Sequence, residues 1–246
     1  MKSQVVRGKR LRATLVDHCG LPTAGAGSTL VTGGFVTVTY APVWKDAEDL
    51  EQANADGKNC VADRTPPELK WYTVTAVFCD VDPELHNMFT NNPIVTDYAN
   101  KPVGFRVNKD VVTETGVGLE LWTGTGSSDC EEPLDDSYLT DEAASAQGYG
   151  YWLTPGIKEA TLGDVEIGAS VATFTLSGIT FSAPAWGKGP YLVTAVDADN
   201  TAGRLKTPMK KDEHLHYERV TIAPPEVTDG AVALTLPTPY FAAVTP

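Results

Sequence analysis

The chain has 246 residues and a mass of 26.3 kDa, enough for one large domain or two modest ones with a substantial core. Apolar residues make up 42% of it and charged residues 21%, which excludes an intrinsically disordered protein. The 22 glycines and 17 prolines argue against a helical bundle. The net charge of −13 argues against nucleic-acid binding, which needs a basic surface. A membrane helix needs about 18 uninterrupted apolar residues, and no segment of the sequence contains such a run. The basic N-terminus lacks the apolar run of a secretory signal peptide, so we expect neither feature.

The first third of the chain is predicted to be β-structure interrupted by turns. Residues 10–16 alternate between polar and apolar side chains, as a half-buried strand does. The strand ends at the turn signals of 19–22, and the glycine-rich stretch 25–27 continues the break. Residues 35–40 and 71–79 are rich in β-branched and aromatic side chains, which predicts two further strands.

A polar insertion lies between these two strands, at about 44–66. The window 45–68 holds seven acidic and three basic side chains. Within it, Asp56-Gly57 favours a tight turn, because both central residues of such a turn need positive φ. We interpret roughly 46–64 as a β-hairpin that is too polar to belong to the core.

One short helix is predicted at about 82–90. Asp82 can cap its N-terminus, and Pro83 suits the first helical position, where no backbone N–H is needed. Leu85, Met88 and Phe89 then form one apolar stripe, so the helix is expected to lie on a sheet.

The rest of the chain is predicted to hold short strands, one acidic loop and an extended arm. The loop at about 124–147 carries seven acidic and no basic side chains, with a short helical turn near 141–146. The arm at about 223–246 contains five prolines, which predicts an extended segment with at most one strand, near 232–236. No repeat or linker divides the chain, so we expect a single domain over 1–246. The predicted strands are 103–107, 117–122, 149–153, 171–176, 191–196 and 216–222.

The four cysteines, at 19, 60, 79 and 130, include no C-x-x-C pair, and their spacing matches no zinc module. They allow three full disulfide pairings, among which the sequence does not choose. We expect reduced, at least partly buried side chains that behave as small hydrophobic residues.

The candidate chemical sites are few. His214 and His216 alternate on a predicted strand and so share one face, as in cupin metal sites. Glu218 follows sooner than the cupin pattern requires, so we expect surface or hydrogen-bonded histidines. His18 and Cys19 are neighbours on a strand, point to opposite faces and form no catalytic dyad. We predict no enzyme activity, no cofactor and no metal.

Six short motifs occur in one order along the chain. They are GKRLR at 8–12 leading to DHCG at 17–20, FCDVDPEL at 78–85, VGFRV at 103–107, LELWTG at 119–124, WGKGPY at 186–191 and HLH at 214–216. Together they span about residues 8 to 225 and resemble the major tail protein, the tail tube subunit, of long flexible-tailed phages of actinobacteria.

The resemblance implies a mainly β subunit, of the phage tail-tube β-sandwich or barrel type, with one flanking helix, long loops and an extended C-terminal arm. Six copies would form a ring, and stacked rings would form the virion tail tube through which DNA passes without specific binding. A tape measure protein and tail terminator or tip proteins are the further partners that the family implies.

Three surfaces are expected to mediate assembly. The first comprises the hairpin and the acidic loop, because long polar loops between strands often carry function. The basic N-terminus should lie at a subunit boundary, where the acidic loop of a neighbour answers it. The C-terminal arm, with no evident sheet of its own, should pack an aromatic tip on a neighbour. The candidate residues are Arg7, Lys9, Arg10, Arg12, Asp56, Gly57, Glu131, Glu132, Asp135, Asp136, Tyr240 and Phe241.

Two other classes of protein stay open from the sequence. One is a cell-surface or secreted β-sandwich binding module. The other is a cupin-like metal protein that uses His214 and His216.

Overall fold

A computed structural model describes residues 5–80, 82–110, 114–125, 148–166 and 172–241. In this part the fold is mainly β, with one α-helix, α1 (Pro83–Thr90). The strands are β1 (Val5–Val16), β2 (Gly25–Thr32), β3 (Phe35–Lys45), β4 (Asp49–Ala53), β5 (Asn59–Arg64), β6 (Glu68–Phe78), β7 (Ile94–Thr96), β8 (Pro102–Phe105), β9 (Gly116–Thr125), β10 (Tyr149–Glu166), β11 (Thr173–Thr180), β12 (Thr194–Ala195), β13 (Ala202–Gly203), β14 (His216–Val220) and β15 (Val232–Leu234).

One nine-stranded antiparallel sheet dominates the described residues, in the order β15-β2-β1-β9-β10-β11-β6-β3, with β14 also paired to β10. Strand β10 joins its two parts: its first half pairs with β9 and β14, and its second half pairs with β11. The sheet curls, since Thr154 on β10 donates a hydrogen bond of 3.2 Å to the Tyr40 hydroxyl on β3, although β3 lies three positions beyond β10 in the sheet order. The two parts therefore enclose a shared core, as in a sandwich.

Two hydrophobic clusters fill the molecule. The first lies inside the curled sheet and contains buried residues of β1, β6 and β9 together with Leu85 and Met88 of α1. The second contains Trp122 and Tyr151 from the sheet, and is covered by the segment that carries Trp186, Leu205 and Met209. Both faces of β9 and of the second half of β1, residues 11–16, are thus largely buried.

Helix α1 confirms the sequence prediction in detail. The Asp82 carboxylate accepts hydrogen bonds from the backbone N–H groups of Glu84 and Leu85, and Pro83 occupies the first position. The helix ends at Asn91, which adopts the left-handed conformation with φ of 54°. Such an ending satisfies carbonyl groups that the last turn leaves unpaired.

The predicted hairpin is confirmed as β4 and β5. In its turn, the Asn54 side chain accepts hydrogen bonds from the backbone N–H groups of Asp56 and Lys58, and Gly57 has a φ of 75°. Thr65 donates its backbone N–H to the carbonyl oxygen of Glu48 at 3.0 Å, so the hairpin continues the β3–β6 ladder outward.

Several predicted strand boundaries differ from those of the structure. The glycine-rich stretch 25–27 opens strand β2 instead of continuing a break. The strand predicted at 149–153 continues to residue 166 as β10, and only two residues of the predicted 191–196 strand are β-structure. The helical turn predicted near 141–146 lies outside the described residues.

Candidate assembly surfaces and a buried polar network

The hairpin formed by β4 and β5 is the most exposed element of the described chain. Each of its residues from Asp49 to Arg64 whose side chain is described is exposed, and Leu50 has 54% of its surface open. An ion pair of 3.4 Å between Arg64 and Asp49 joins its base, with both side chains largely in solvent. Asp56 and Gly57, two of the predicted assembly residues, lie in the turn at the tip of the hairpin.

The basic residues of the N-terminus separate into two groups. Arg7 and Lys9 are exposed, and the Lys9 ammonium lies 5.2 Å from the centre of the Tyr149 ring. Arg10 donates from Nη1 to the carbonyl oxygen of Lys9 at 2.9 Å. Within the described ranges, no carboxylate lies at ion-pair distance from these three residues. They remain candidates for an interface with another copy.

Arg12 differs from its neighbours because its partner lies within the same chain. It is buried, and its Nε and Nη2 atoms donate to the two carboxylate oxygens of Glu120 at 2.5 and 2.7 Å. Its guanidinium lies 3.3 Å from the centre of the Tyr191 ring and 4.9 Å from that of Trp122. Arg12 therefore needs no acidic partner from a neighbour. The prediction that basic side chains lie at a subunit boundary now concerns only Arg7, Lys9 and Arg10.

Glu120 is the centre of a satisfied buried network. Its Oε1 atom also accepts a hydrogen bond of 2.6 Å from the Tyr151 hydroxyl, so three donors surround one carboxylate with 1% of its surface exposed. The Tyr191 hydroxyl bonds to Thr14 and Thr29. An ionised pair with this many partners can be held in a protein interior, where an unpaired charge cannot.

The pKa values of Arg12, Tyr151 and Tyr191 are all shifted upward, by burial or by the charge of Glu120. Burial lowers the pKa of Arg12, but the adjacent Glu120 carboxylate outweighs that effect, and the net shift is upward. Burial, reinforced by Glu120, raises the pKa of Tyr151, and burial also raises that of Tyr191. Near neutral pH, Arg12 therefore stays charged, and Tyr151 and Tyr191 stay protonated.

Sequence reasoning missed Glu120, Tyr151 and Tyr191. The available signal was Glu120 itself, an acidic residue between two leucines in a strand that is otherwise apolar. A buried acid requires a buried partner, and Arg12 directly faces it across the β1–β9 register.

The C-terminal arm folds onto its own chain as far as Phe241. Strand β15 pairs with β2, and Thr228 exchanges hydrogen bonds of 3.0 Å with the backbone of Val31. The Tyr240 hydroxyl donates to the carbonyl oxygen of Trp186 at 2.7 Å. The strand predicted near 232–236 is therefore confirmed as β15, but it joins the main sheet of its own chain, which the sequence did not indicate. Phe241 is 53% exposed and stays a candidate contact with another copy.

The two histidines of the predicted metal alternative face different partners. His214 is buried, and its Nδ1 atom lies 2.9 Å from the Thr180 hydroxyl, while burial lowers its pKa against the opposing effect of Asp212. His216 lies 3.4 Å from Glu218 and contacts the edge of the Tyr151 ring. In the part of the chain that the structure describes, these residues do not gather into a three-ligand cluster.

Asp17, His18 and Cys19 lie in a turn, not on the strand that the sequence suggested. Their ligating atoms lie within 4.8 Å of one another. The Asp17 carboxylate is engaged there, because one of its oxygens accepts from the backbone N–H groups of Cys19 and Leu21 at 2.8 and 2.9 Å. Such a bonding pattern is that of an ordinary Asx turn.

The expectation that the cysteines are buried is wrong for the three that the structure describes. Cys19, Cys60 and Cys79 are free thiols and exposed. Each lies where the chain leaves the core: in a turn, on the projecting hairpin and just after the end of β6. Cys130 and the acidic candidates Glu131, Glu132, Asp135 and Asp136 lie outside the described residues.

Comparison with known proteins adds no family to this geometry. No protein-family model matches the chain, and no curated protein matches it in sequence. Among the described residues, no helix has the length and apolar character required to cross a bilayer.

Proposed function

We propose that this chain is a self-assembling structural protein, the subunit of a phage tail tube. Six copies form a ring, stacked rings form the tube, and DNA passes through it. The observation that carries the proposal is the hairpin of β4 and β5, whose described side chains are exposed throughout. The ordered series of six sequence motifs supplies the family to which such a subunit would belong.

The hairpin is costly for an isolated subunit to maintain. A two-stranded ribbon is at best marginally stable in water. The described side chains of this one are all exposed, so it buries little apolar surface against the described part of its own chain. A second copy packed against it would bury Leu50 and pair its polar side chains. Contacts with a second copy would therefore offset the entropy cost of ordering the hairpin.

The charge of the chain suits a conduit for DNA. The net charge is −13, and the buried cation Arg12 is neutralised by Glu120. Each free lysine or arginine along a channel wall would bind phosphate by releasing counterions and hold the DNA in place. We therefore propose that Arg7, Lys9 and Arg10 lie at subunit boundaries, away from the channel.

The proposal also implies where the protein acts and which partners it binds. The principal partner is another copy of the chain. A tape measure protein inside the tube and terminator or tip proteins at its ends follow from the tail-tube assignment, as does a place in the virion.

Replacing the hairpin tests this proposal directly. Residues 49–64 are exchanged for Asn-Gly, which joins Glu48 to Thr65, two residues that already pair by a backbone hydrogen bond. An Asn-Gly turn closes an antiparallel ladder at such a pair. We expect a folded subunit with a Tm close to that of the wild type, and no rings or tubes by negative-stain microscopy.

A matched pair of point variants controls for general surface effects. Leu50→Asp should prevent assembly, whereas Leu192→Asp, at a leucine that is 60% exposed on a different part of the surface, should not. Normal tubes from the hairpin-deleted protein, or equal loss of assembly in both point variants, would contradict the assignment of the hairpin.

A further inference from the structure

The side chain of His86, on helix α1, is buried in an unusual way. Only 5% of the residue is exposed, and its Nε2 atom has no hydrogen-bond partner among the described residues. Its ring stacks on that of Phe105, with 3.7 Å between the ring centres and 14° between the planes. Since most buried polar atoms are paired, this unpaired nitrogen calls for an explanation.

The hydrogen bonds of Thr90 fix which nitrogen of His86 carries the proton. The Thr90 hydroxyl donates its one proton to the carbonyl oxygen of His86 at 2.8 Å. The Nδ1 atom, 3.3 Å from the same hydroxyl oxygen, must then be the donor to it. Neutral His86 is therefore protonated on Nδ1, and Nε2 presents a buried lone pair.

Phe105 belongs to a ribbon that is separate from the main sheet. Among the described strands, β7 and β8 pair only with each other, and their turn leaves Tyr98 fully exposed. At its base the ribbon is tied by backbone groups, from Arg106 to Pro93 and from Asn108 to the side chain of Asn92. The His86–Phe105 stack is thus the aromatic contact that holds the ribbon against the helix.

The surroundings of His86 are mainly apolar. A cavity of about 20 Å³, room for one water molecule, adjoins the stacked rings. The charged side chains in its lining are Asp80 and Asp82, of which Asp82 uses one oxygen to cap α1. The other lining residues, contributed by β6, β8, α1 and β11, are Phe78, Leu85, Phe105, Phe174 and Leu176.

We propose that His86 is an acid-sensitive latch, which holds the β7–β8 ribbon against α1 while it is neutral and releases it when a proton binds to Nε2. In the closed arrangement, no described residue accepts a hydrogen bond at Nε2, and the charge would lie in a largely apolar site. Moving the ribbon away exposes the imidazolium to water and removes both penalties. The latch does not depend on the function proposed above.

The direction of the pH dependence follows from burial. Burial lowers the pKa of His86 to about 4, from an ordinary value of 6.5. The closed ribbon is therefore fully stabilised above pH 6.5, and this stabilisation is lost as the pH falls towards 4. With these two values, the open-to-closed ratio of the ribbon rises about 20-fold between pH 7 and pH 5.

Hydrogen exchange of the full chain, compared at pH 7 and pH 5 after correction for the intrinsic rates, tests the latch. We expect residues 94–105 to lose protection about 20-fold at pH 5, while the β1–β9 ladder keeps its protection. In His86→Phe, which retains an aromatic ring for the stack but cannot be protonated, the protection of 94–105 should no longer depend on pH. His214→Phe, at a buried histidine elsewhere, should respond like the wild type.

A second measurement keeps the test independent of the variants. Histidine ring ¹⁵N spectra of the wild type should show the Nδ1–H form of His86 at pH 7. The latch is wrong if residues 94–105 are equally protected at both pH values, if His86→Phe retains the pH response, or if the ring is protonated on Nε2 at pH 7.

Discussion

At the scale of single residues, the buried ion pair of Arg12 and Glu120 is the main polar interaction within the core. Strands β1 and β9 place the two residues directly opposite each other, and the second hydrophobic cluster surrounds them. A buried pair of this kind contributes little net stability over apolar residues of the same shape. Removal of one partner is costly, because it leaves an uncompensated charge.

Arg12→Met should therefore lower the free energy of unfolding by about 3–5 kcal/mol, as measured by urea denaturation. The double variant Arg12→Met, Glu120→Met should recover part of this loss, although the Tyr151 hydroxyl then lacks its acceptor. Arg64→Met makes the same substitution in the exposed pair with Asp49 and should change stability by less than about 1 kcal/mol. Equal effects of Arg12→Met and Arg64→Met would show that the buried network is not structurally important.

This pair also shows where prediction from sequence ends. The alternation of residues 10–16 predicts the strand that carries Arg12, but its polar face is expected to meet solvent. That face is buried because the segment with Trp186 and Tyr191 folds over it, 177 residues along the chain from Thr14 to Tyr191. Such long-range cover leaves no periodic signal in the strand itself.

At the scale of elements, the sequence predicts those helices and turns whose formation depends on residues close together in the chain. Helix α1 and the hairpin are both correctly placed, since a capping aspartate with a proline and an Asp-Gly turn act within a few residues. Strand β2 was missed because glycines normally mark turns, whereas Gly25 and Gly27 here open a strand with positive φ values. The continuation of β10 depends on its partner changing from β9 to β11, which a single sequence does not reveal.

The C-terminal arm contains the predicted strand, and the structure pairs this strand with β2 of the same chain. Truncation after Pro225 removes β15, which covers the edge of β2, the buried Leu234 and the hydrogen bonds of Thr228 and Tyr240. We expect the Tm of the isolated subunit, measured by calorimetry, to fall by at least about 6 °C, which corresponds to a loss of a few kcal/mol for a chain of this size.

Phe241→Ser separates packing within the chain from contacts between copies. This side chain is 53% exposed, so the substitution should leave the Tm nearly unchanged and weaken assembly. An unchanged Tm after truncation would mean that the arm serves assembly alone.

At the scale of the whole molecule, the account depends on surfaces that a single chain leaves open. The curled sheet with its two clusters forms the core, whereas the hairpin, Arg7, Lys9 and Phe241 are exposed. Among the described residues, no carboxylate lies at ion-pair distance from Arg7, Lys9 or Arg10. A stable core with several exposed extensions is the organisation expected of a subunit that assembles with copies of itself.

Negative-stain electron microscopy of the purified wild-type protein tests the central claim most directly, with the hairpin-deleted variant imaged in parallel. If the chain is a tail tube subunit, the wild type should form rings or tubes about 100 Å wide, the width expected when six 26.3 kDa subunits surround a channel that admits DNA. The variant should show only single particles. A wild-type protein that stays monomeric over the full range of concentration and salt would contradict the account.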